Sequence, residues 1–198
     1  MIYSTTDTIQ PITITKATKS YKNCYFHKIK TSTTSRDSKE SLLRLKTDRF
    51  ELPYKYSDKF DKITITMPVE HPIYNSINTE VLKALKNIDI NPTSLQFGKN
   101  GKIYLQITNK TQFFDHDRQS IDYEKGLEQL QRRAVIRCIL TFNSICEFNG
   151  GFSYKVNVDQ IQICDSGFST ENELCSFGFS EAEPCQFSEE DNSDEWNN

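Results

Sequence analysis

The sequence predicts a mainly β protein with two short helices and a disordered, acidic C-terminal tail. Three observations predict this arrangement: apolar residues alternate with polar ones in several short segments, Asn-Gly steps separate some of these segments, and the chain from Asp165 to Asn198 holds ten acidic residues and no Lys or Arg. A chain of 198 residues suits one domain of ordinary size with some additional chain. We therefore expect a folded domain over residues 1–164 and a tail over residues 165–198.

Two early segments show the alternation of a half-buried strand. In Ile12–Ile14 and in Ile63–Met67 every second residue is apolar, with threonines between. Further along, Leu95–Phe97 and Ile103–Ile107 flank an Asn-Gly step, which favours a tight turn because both residues tolerate a positive φ. The sequence therefore predicts a β-hairpin between these two segments.

A second hairpin is predicted near the end of the folded domain. Ala134–Phe142 leads to Asn149-Gly150-Gly151, and Phe152–Ile163 returns with a period of two. The apolar phase of the returning segment shifts near its middle. This shift predicts a β-bulge at Asp159-Gln160.

Two segments have helical composition. Asn78–Asn87 begins with capping residues and an early Glu and ends with lysines, the charge order that the helix dipole favours. Tyr123–Arg133 places its leucines on one face and ends in two arginines. Thr31–Ser41 is rich in Ser, Thr and charged residues, and we expect a mobile loop there.

The composition disfavours several classes of protein. No segment approaches the roughly 18 to 20 apolar residues of a membrane helix, and Met1–Thr15 lacks the basic and apolar regions of a secretory signal. We therefore expect an intracellular protein that is not secreted, contacts no membrane and keeps its thiols reduced. Cys138, Cys146 and Cys164 stand in apolar strand segments, where burial is expected.

One compact cluster of groups could support acid–base or metal chemistry, Asp115-His116-Asp117. A metal site needs three or four ligands on a rigid frame, whereas this run lies between a predicted hairpin and a predicted helix. No glycine-rich phosphate loop or hydrolase motif accompanies it. We expect a protein that is not an enzyme and holds no metal and no cofactor, and an enzyme built around these three residues is the weakest alternative.

Charge is strongly divided along the chain. The whole chain has 24 basic and 27 acidic residues, and the ten acids of the tail leave 24 basic residues against 17 acidic ones in residues 1–164. This surplus lies within Lys16–Lys62, which holds 13 basic and 6 acidic residues. A localised basic surplus indicates a polyanionic partner.

The same basic region interleaves its lysines and arginines with aromatic rings. A single nucleic-acid strand exposes phosphates, which cations bind, and base faces, on which rings stack at about 1 to 3 kcal/mol per base. The pattern therefore predicts a binder of single-stranded nucleic acid. The expected contacts are Lys22, Tyr25, Phe26, Lys28, Lys30, Arg44, Lys46, Arg49, Tyr54, Lys55 and Tyr56, extended by Arg132, Arg133 and Arg137. The alternative is that some rings belong to the core and the lysines form an ordinary solvated face.

We expect the acidic tail to compete with the nucleic acid. A flexible anionic segment tethered to a basic groove acts as an intramolecular mimic of the ligand at high effective concentration. The tail also carries aromatic residues that could bind replication proteins, with Phe187, Glu195 and Trp196 as the expected contacts. The alternative is a tail that serves solubility alone.

The strand–turn–strand segment Ala134–Ile163 and the tail ending in Asp194-Glu195-Trp196 resemble the single-stranded-DNA-binding proteins of large DNA viruses and of T7-like phages. The resemblance implies an OB-like antiparallel barrel and a tail that regulates DNA binding and recruits replication proteins. It also implies sequence-tolerant coating of single-stranded DNA in viral DNA replication or recombination, in the host nucleus or at a cytoplasmic replication site. Such proteins often have a tryptophan in their core strands, whereas the one Trp of this chain lies in the tail.

A different class of function fits part of the same pattern. A structural or adaptor protein, such as a virion or scaffold component, would use the tail as its partner motif and leave the basic region solvated. Single-stranded RNA in place of DNA, and a homo-oligomeric state, are compatible with the same residues.

Overall fold

The computed structural model describes residues 2–18, 20–31, 42–59, 62–69, 71–92, 95, 97–98 and 100–165. In chain order their elements are β1 (Ile2–Tyr3), β2 (Ile12–Thr15), β3 (Ser20–Tyr21), β4 (Cys24–Thr31), β5 (Leu43–Lys46), β6 (Phe50–Glu51), β7 (Ser57–Lys59), β8 (Lys62–Pro68), α1 (Pro72–Lys86), β9 (Lys102–Ile107), β10 (Gln112–Phe114), β11 (Ser120–Ile121), α2 (Tyr123–Gln129), β12 (Val135–Phe148) and β13 (Gly151–Asp165). The prediction of a mainly β protein with two helices is confirmed. The predicted loop and tail lie outside the described residues, apart from Thr31 in β4 and Asp165 in β13.

One sheet contains all of these strands, and its principal order is β1-β5-β12-β13-β9-β8-β7. The long strand β12 organises the sheet, since β13 pairs with one of its edges while β4, β5 and β6 follow one another along the other. Strands β2 and β3 extend the sheet from β4, and β10 pairs with both β13 and β11.

The sheet differs from the expected antiparallel barrel in two respects. The pairs β1–β5, β10–β13 and β13–β9 are parallel, so the sheet is mixed. Among the described strands, the hydrogen-bonded order ends at β1 and at β7 and does not close on itself. Register shifts in the β12–β13 pair bend these two strands and increase their twist, which curves the sheet without closing it.

The hairpin of β12 and β13 is the predicted one, and both strands are longer than expected. Asn149 and Gly150 form its turn with φ values of 48° and 76°. Asp159 lies at a register shift, as the sequence predicted, and Asn143 lies at another. Before Asn143 the even-numbered residues of β12 face the main core, and after it the odd-numbered residue Ile145 does.

The first predicted hairpin is wrong in its partner. Asn100 and Gly101 do form a turn, with φ values of 54° and 70°, and β9 begins directly after it. However, β9 pairs with β8 and β13 rather than with the segment around Leu95. Phe97 is not a strand residue. Its ring stacks instead on that of Tyr74 in α1, with the ring centroids 4.9 Å apart.

Both helices have boundaries that differ from the predicted ones. Helix α1 begins at Pro72, which is favourable at the first helical position because proline has no N–H to leave unpaired. The residue before it, His71, caps the helix, since its Nδ1 accepts a hydrogen bond from the backbone N–H of Ile73 at 3.2 Å. Helix α2 ends at Gln129, before the predicted arginines. Neither helix is long and apolar enough to cross a membrane, a finding limited to the described part of the chain.

The core lies between α1 and the sheet face that α1 covers. Four aromatic side chains form its centre: Phe97 contacts Tyr74, Phe142 and Tyr154, with ring centroids 4.9 to 5.4 Å apart. The Tyr154 hydroxyl donates a hydrogen bond to Oδ1 of Asn78 in α1 at 2.8 Å, and burial raises the pKa of this tyrosine. These contacts hold α1 on the inner side and leave the opposite sheet face uncovered near the hairpin turn.

Candidate nucleic-acid interface

The sheet face opposite α1, which we call the outer face, begins at β4. On this strand Phe26, Lys28 and Lys30 point to the outer face, while the buried His27 and Ile29 alternate to the other. Phe26 is 37% exposed and Lys28 is also exposed. A ring and two cations therefore follow one another along a single strand.

Strand pairing places lysines of two strands side by side on the outer face. Lys28 of β4 and Lys155 of β13 pair with Ser144 of β12 from its two edges. Both lysines are exposed, and a strand spacing of about 4.8 Å puts their backbones about 10 Å apart. Phe148, which is 48% exposed, lies on the same face of β12 toward the hairpin turn. The rings of Phe26 and Phe148 thus lie on the hairpin-turn side of the two lysines.

Strand β9 continues the outer face on the far side of β13. Asn157 of β13 pairs with Gln106, and Tyr104 points to the same side as Gln106. The Tyr104 side chain is 72% exposed, more than any other large hydrophobic side chain in the described ranges. At the start of β9, Nζ of Lys102 lies 5.5 Å from the ring centroid of Tyr54, a cation–π contact that holds this exposed ring beside the strand.

The charge of this region is positive. From β4 to β9, on the half of the outer face next to the hairpin turn, the described strand residues include one carboxylate, Asp159 at the bulge. It is paired with Arg44 of β5, whose Nη2 and Nε lie 2.9 and 3.1 Å from its Oδ2. The Thr141 hydroxyl donates to the same oxygen at 2.6 Å. Lys28 and Lys155 therefore share this half of the face with a neutralised ion pair.

A comparison with solved structures gives matches to phage single-stranded DNA-binding proteins. The C-terminally truncated protein of bacteriophage Enc34 is 14% identical over 80% of this chain and 97% of its own, with a TM-score of 0.46. The Enc34 protein in complex with ssDNA is 15% identical over 75% and 94%, with a TM-score of 0.40. Bacteriophage T7 gp2.5 is 10% identical over 68% and 98%, with a TM-score of 0.39.

Comparisons of the sequence itself add no relative. No family model matches it, and a search of curated proteins gives no match.

Five of the predicted contact residues lie on the outer face of β4 and β5. These two strands succeed each other along one edge of β12, so their outward side chains form one continuous row. The residues are Phe26, Lys28, Lys30, Arg44 and Lys46.

Other predicted contacts lie beside the outer face. Lys22 is exposed in the turn between β3 and β4, and Tyr25 alternates to the inner side, although its ring at the strand end is 41% exposed. Tyr54 and Lys55 are exposed in the loop between β6 and β7. Tyr56 is half-buried against the core, with Nζ of Lys55 5.1 Å from its ring centroid.

The predicted extension through arginines is wrong for Arg137, which is 4% exposed and cannot serve as a surface contact. Its end of β12 is covered on the outer side as well, where Phe114 and Ile139 form a second small apolar cluster. Arg132 and Arg133 are exposed, but they precede β12 and so lie at the end of that strand opposite the hairpin turn.

Arg49 is half-buried in the loop after β5. The predicted partner contacts Phe187, Glu195 and Trp196 lie outside the described residues.

Sequence reasoning missed four residues of the outer face, Lys102, Tyr104, Phe148 and Lys155. The alternation in Ile103–Ile107 could have revealed Tyr104. This residue shares a face of the strand with the polar Gln106, and a ring on that face does not pack in the core. The assignment of Phe148 and Lys155 depends on the bulge at Asn143 and on the order of the strands. Neither can be read from local sequence.

The acid–base cluster Asp115-His116-Asp117 is a turn between β10 and β11. Oδ1 of Asp115 accepts a hydrogen bond from the backbone N–H of Gln119 at 2.8 Å. His116 and Asp117 are exposed, with Nε2 of the histidine 3.1 Å from Oδ2 of the aspartate. Within the described ranges, no group of three or more His, Cys, Asp or Glu residues could hold a metal ion. The geometry gives these residues a structural role in the turn.

Proposed function

We propose that the protein binds single-stranded nucleic acid through the outer face, without catalysis and with little sequence preference. The observation that supports the proposal is the combination on one sheet face of exposed rings with exposed lysines. The rings are Phe26, Phe148 and Tyr104, and Lys28 and Lys155 lie beside them. Contiguous exposed apolar patches are uncommon on the surface of folded proteins and mark sites of binding, and three exposed rings on one sheet face supply such a patch.

The chemistry of the outer face fits a single strand better than a duplex. Bases in a duplex are stacked on one another and leave no face for a protein ring, whereas every unpaired base offers one. Lysines bind phosphates as point charges and do not distinguish between bases. A ligand that lies across β4, β12, β13 and β9 would therefore meet stacking groups and cations in turn.

We propose further that the ligand is single-stranded DNA and that the protein acts in viral DNA replication or recombination. In this proposal the acidic tail occupies the outer face in the absence of DNA and binds replication proteins once DNA displaces it. Ten acids and no Lys or Arg over residues 165–198 support this competition, since the same cations would attract both anions.

Titration of labelled oligo-dT at two salt concentrations tests the proposal. Binding should weaken with salt, with log K falling by about 0.7 per phosphate contact for each unit of log salt concentration. Protein truncated after Asp165 keeps every described residue, and it should bind more tightly than the full-length chain. Oligo-rU measured in parallel decides between DNA and RNA. An absence of binding at low salt would overturn the proposal and leave the structural or adaptor function.

Matched lysine variants locate the interface within this experiment. Lys28→Ala and Lys155→Ala should each reduce the salt slope by about 0.7. Lys86→Ala removes an exposed lysine from the last turn of α1, away from the outer face, and should leave the slope unchanged. Equal effects at all three positions would show that charge acts without a defined interface.

Removal of the bulge carboxylate should strengthen binding. Asp159→Asn takes away a negative charge and frees the Arg44 guanidinium to contact a phosphate, so oligo-dT affinity at low salt should rise about threefold to fivefold. Fluorescence anisotropy measures the change. As the matched control, Asn157→Asp adds a carboxylate to the outer face two residues away and should weaken binding; an unchanged or weaker affinity of Asp159→Asn would exclude Arg44 from the interface.

A further inference from the structure

Two cysteines meet on the outer face at the end of the β4–β12 pair. Cys146 of β12 pairs with Phe26, and Cys24 of β4 pairs with Phe148, so the two thiols are diagonal neighbours on one face of adjacent antiparallel strands. Both are free and partly exposed, whereas the sequence predicted burial for Cys146. These two pairs form a group of four side chains, with the cysteines on one diagonal and the phenylalanines on the other. The twist of a sheet brings the residues of one diagonal closer together than those of the other.

The side chains of the two cysteines lie close enough to interact across this diagonal, and Cys24 contributes to the raised pKa of Cys146. Partial burial makes the larger contribution to this rise in pKa, while the nearby Lys155 acts in the opposite direction. A disulfide requires Cα atoms no more than about 7 Å apart, and diagonal neighbours lie about 7 to 8 Å apart before the twist shortens one diagonal, so a small backbone movement suffices to form the bond. Cys138, by contrast, is completely buried in the core, where an oxidant cannot reach it.

We propose that Cys24 and Cys146 form a reversible disulfide that links β4 to β12 within the outer face. With hydrogen peroxide as oxidant, one thiolate attacks the peroxide, the O–O bond breaks, and a sulfenic acid and hydroxide form. The second thiolate then attacks this sulfur and displaces hydroxide, so that two thiols and one peroxide give one disulfide and two water molecules. A small thiol such as dithiothreitol reverses the reaction by exchange.

The position of the thiols connects this chemistry to ligand binding. They lie between the rings of Phe26 and Phe148, so a strand stacked on these rings would cover them. Bound nucleic acid should therefore slow disulfide formation, a consequence that rests on the proposed function. Formation of the disulfide itself does not depend on that function.

Oxidation of the full-length protein with hydrogen peroxide, followed by alkylation and peptide mapping without reductant, tests the proposal. The expected product is a crosslink between the peptides of Cys24 and Cys146 that dithiothreitol removes. Because the bond closes a long loop, it should also raise Tm by about 10 °C. Over-oxidation of these cysteines to sulfinic acid, or pairing of either one with Cys175 or Cys185, would overturn the proposal.

Variants and ligand provide the controls. Cys24→Ser should abolish the crosslink, and so should Cys146→Ser, whereas Cys164→Ser should keep it. Saturating oligo-dT should slow the reaction of the wild-type protein. If oligo-dT binds and the rate does not change, the shielding is overturned while the crosslink stands; if oligo-dT does not bind, the proposed function fails independently of the crosslink.

Discussion

Replacement of Tyr104 and Phe148 together by alanine is expected to weaken oligo-dT binding by about 30-fold or more, because each lost base stack costs about 1 to 3 kcal/mol. The two rings lie on different strands of the outer face, and they are 72% and 48% exposed. Anisotropy titrations at one fixed salt concentration measure the loss. The salt slope should stay at its wild-type value, since no charge is removed.

Conservative variants at the same positions separate stacking from side effects. Tyr104→Phe and Phe148→Tyr keep a ring and should keep the affinity. The double alanine variant should unfold at nearly the wild-type temperature, because exposed side chains contribute little to stability. Wild-type affinity in the double alanine variant would place the ligand elsewhere on the molecule.

The second large effect concerns stability. Phe142→Ala is expected to lower the free energy of unfolding by about 3 to 5 kcal/mol, the usual cost of removing a buried ring. Phe142 is completely buried, and its ring centroid lies 5.2 Å from that of Phe97 and 6.0 Å from that of Tyr154. The cavity would open at the contact between the sheet and α1. Urea denaturation followed by far-UV circular dichroism measures the change.

Strand β12 provides the matched control for this variant. Phe148→Ala removes the same ring from the same strand, but from the outer face, and should change the free energy of unfolding by less than about 0.5 kcal/mol. The two variants should therefore separate: Phe142→Ala loses stability and Phe148→Ala loses oligo-dT affinity. Comparable losses of stability at both positions would contradict the assignment of their faces.

The features that could be predicted from the sequence are those that local physics determines. Ile12–Ile14 and Ile63–Met67 form strands because alternation matches the period of a half-buried strand. The turn at Asn149-Gly150 and the bulge at Asp159 were predicted for the same reason, since positive φ and a phase shift are properties of a few neighbouring residues.

The features that were missed depend on distant partners. Strand β9 has the turn of a hairpin but pairs with β8, because Phe97 is needed in the aromatic core against α1. Arg137 has the sequence context of a surface strand, yet a second apolar cluster covers its end of β12. Likewise the charge pattern identified the outward residues of β4, whereas Tyr104 joins them only through the order of strands.

The bulges of the β12–β13 hairpin limit where insertions and deletions can be accepted during evolution. Phe142 faces the core and Phe148 faces outward although both are even-numbered, because Asn143 adds one residue between them without a partner. Loss of one residue at Asn143 would straighten the strand and leave both faces as they are. Loss of one residue between Ser144 and Phe148 would exchange core and outer side chains beyond that point. Related chains should therefore vary in length at Asn143 and at the hairpin turn, and keep the same number of residues between these two positions.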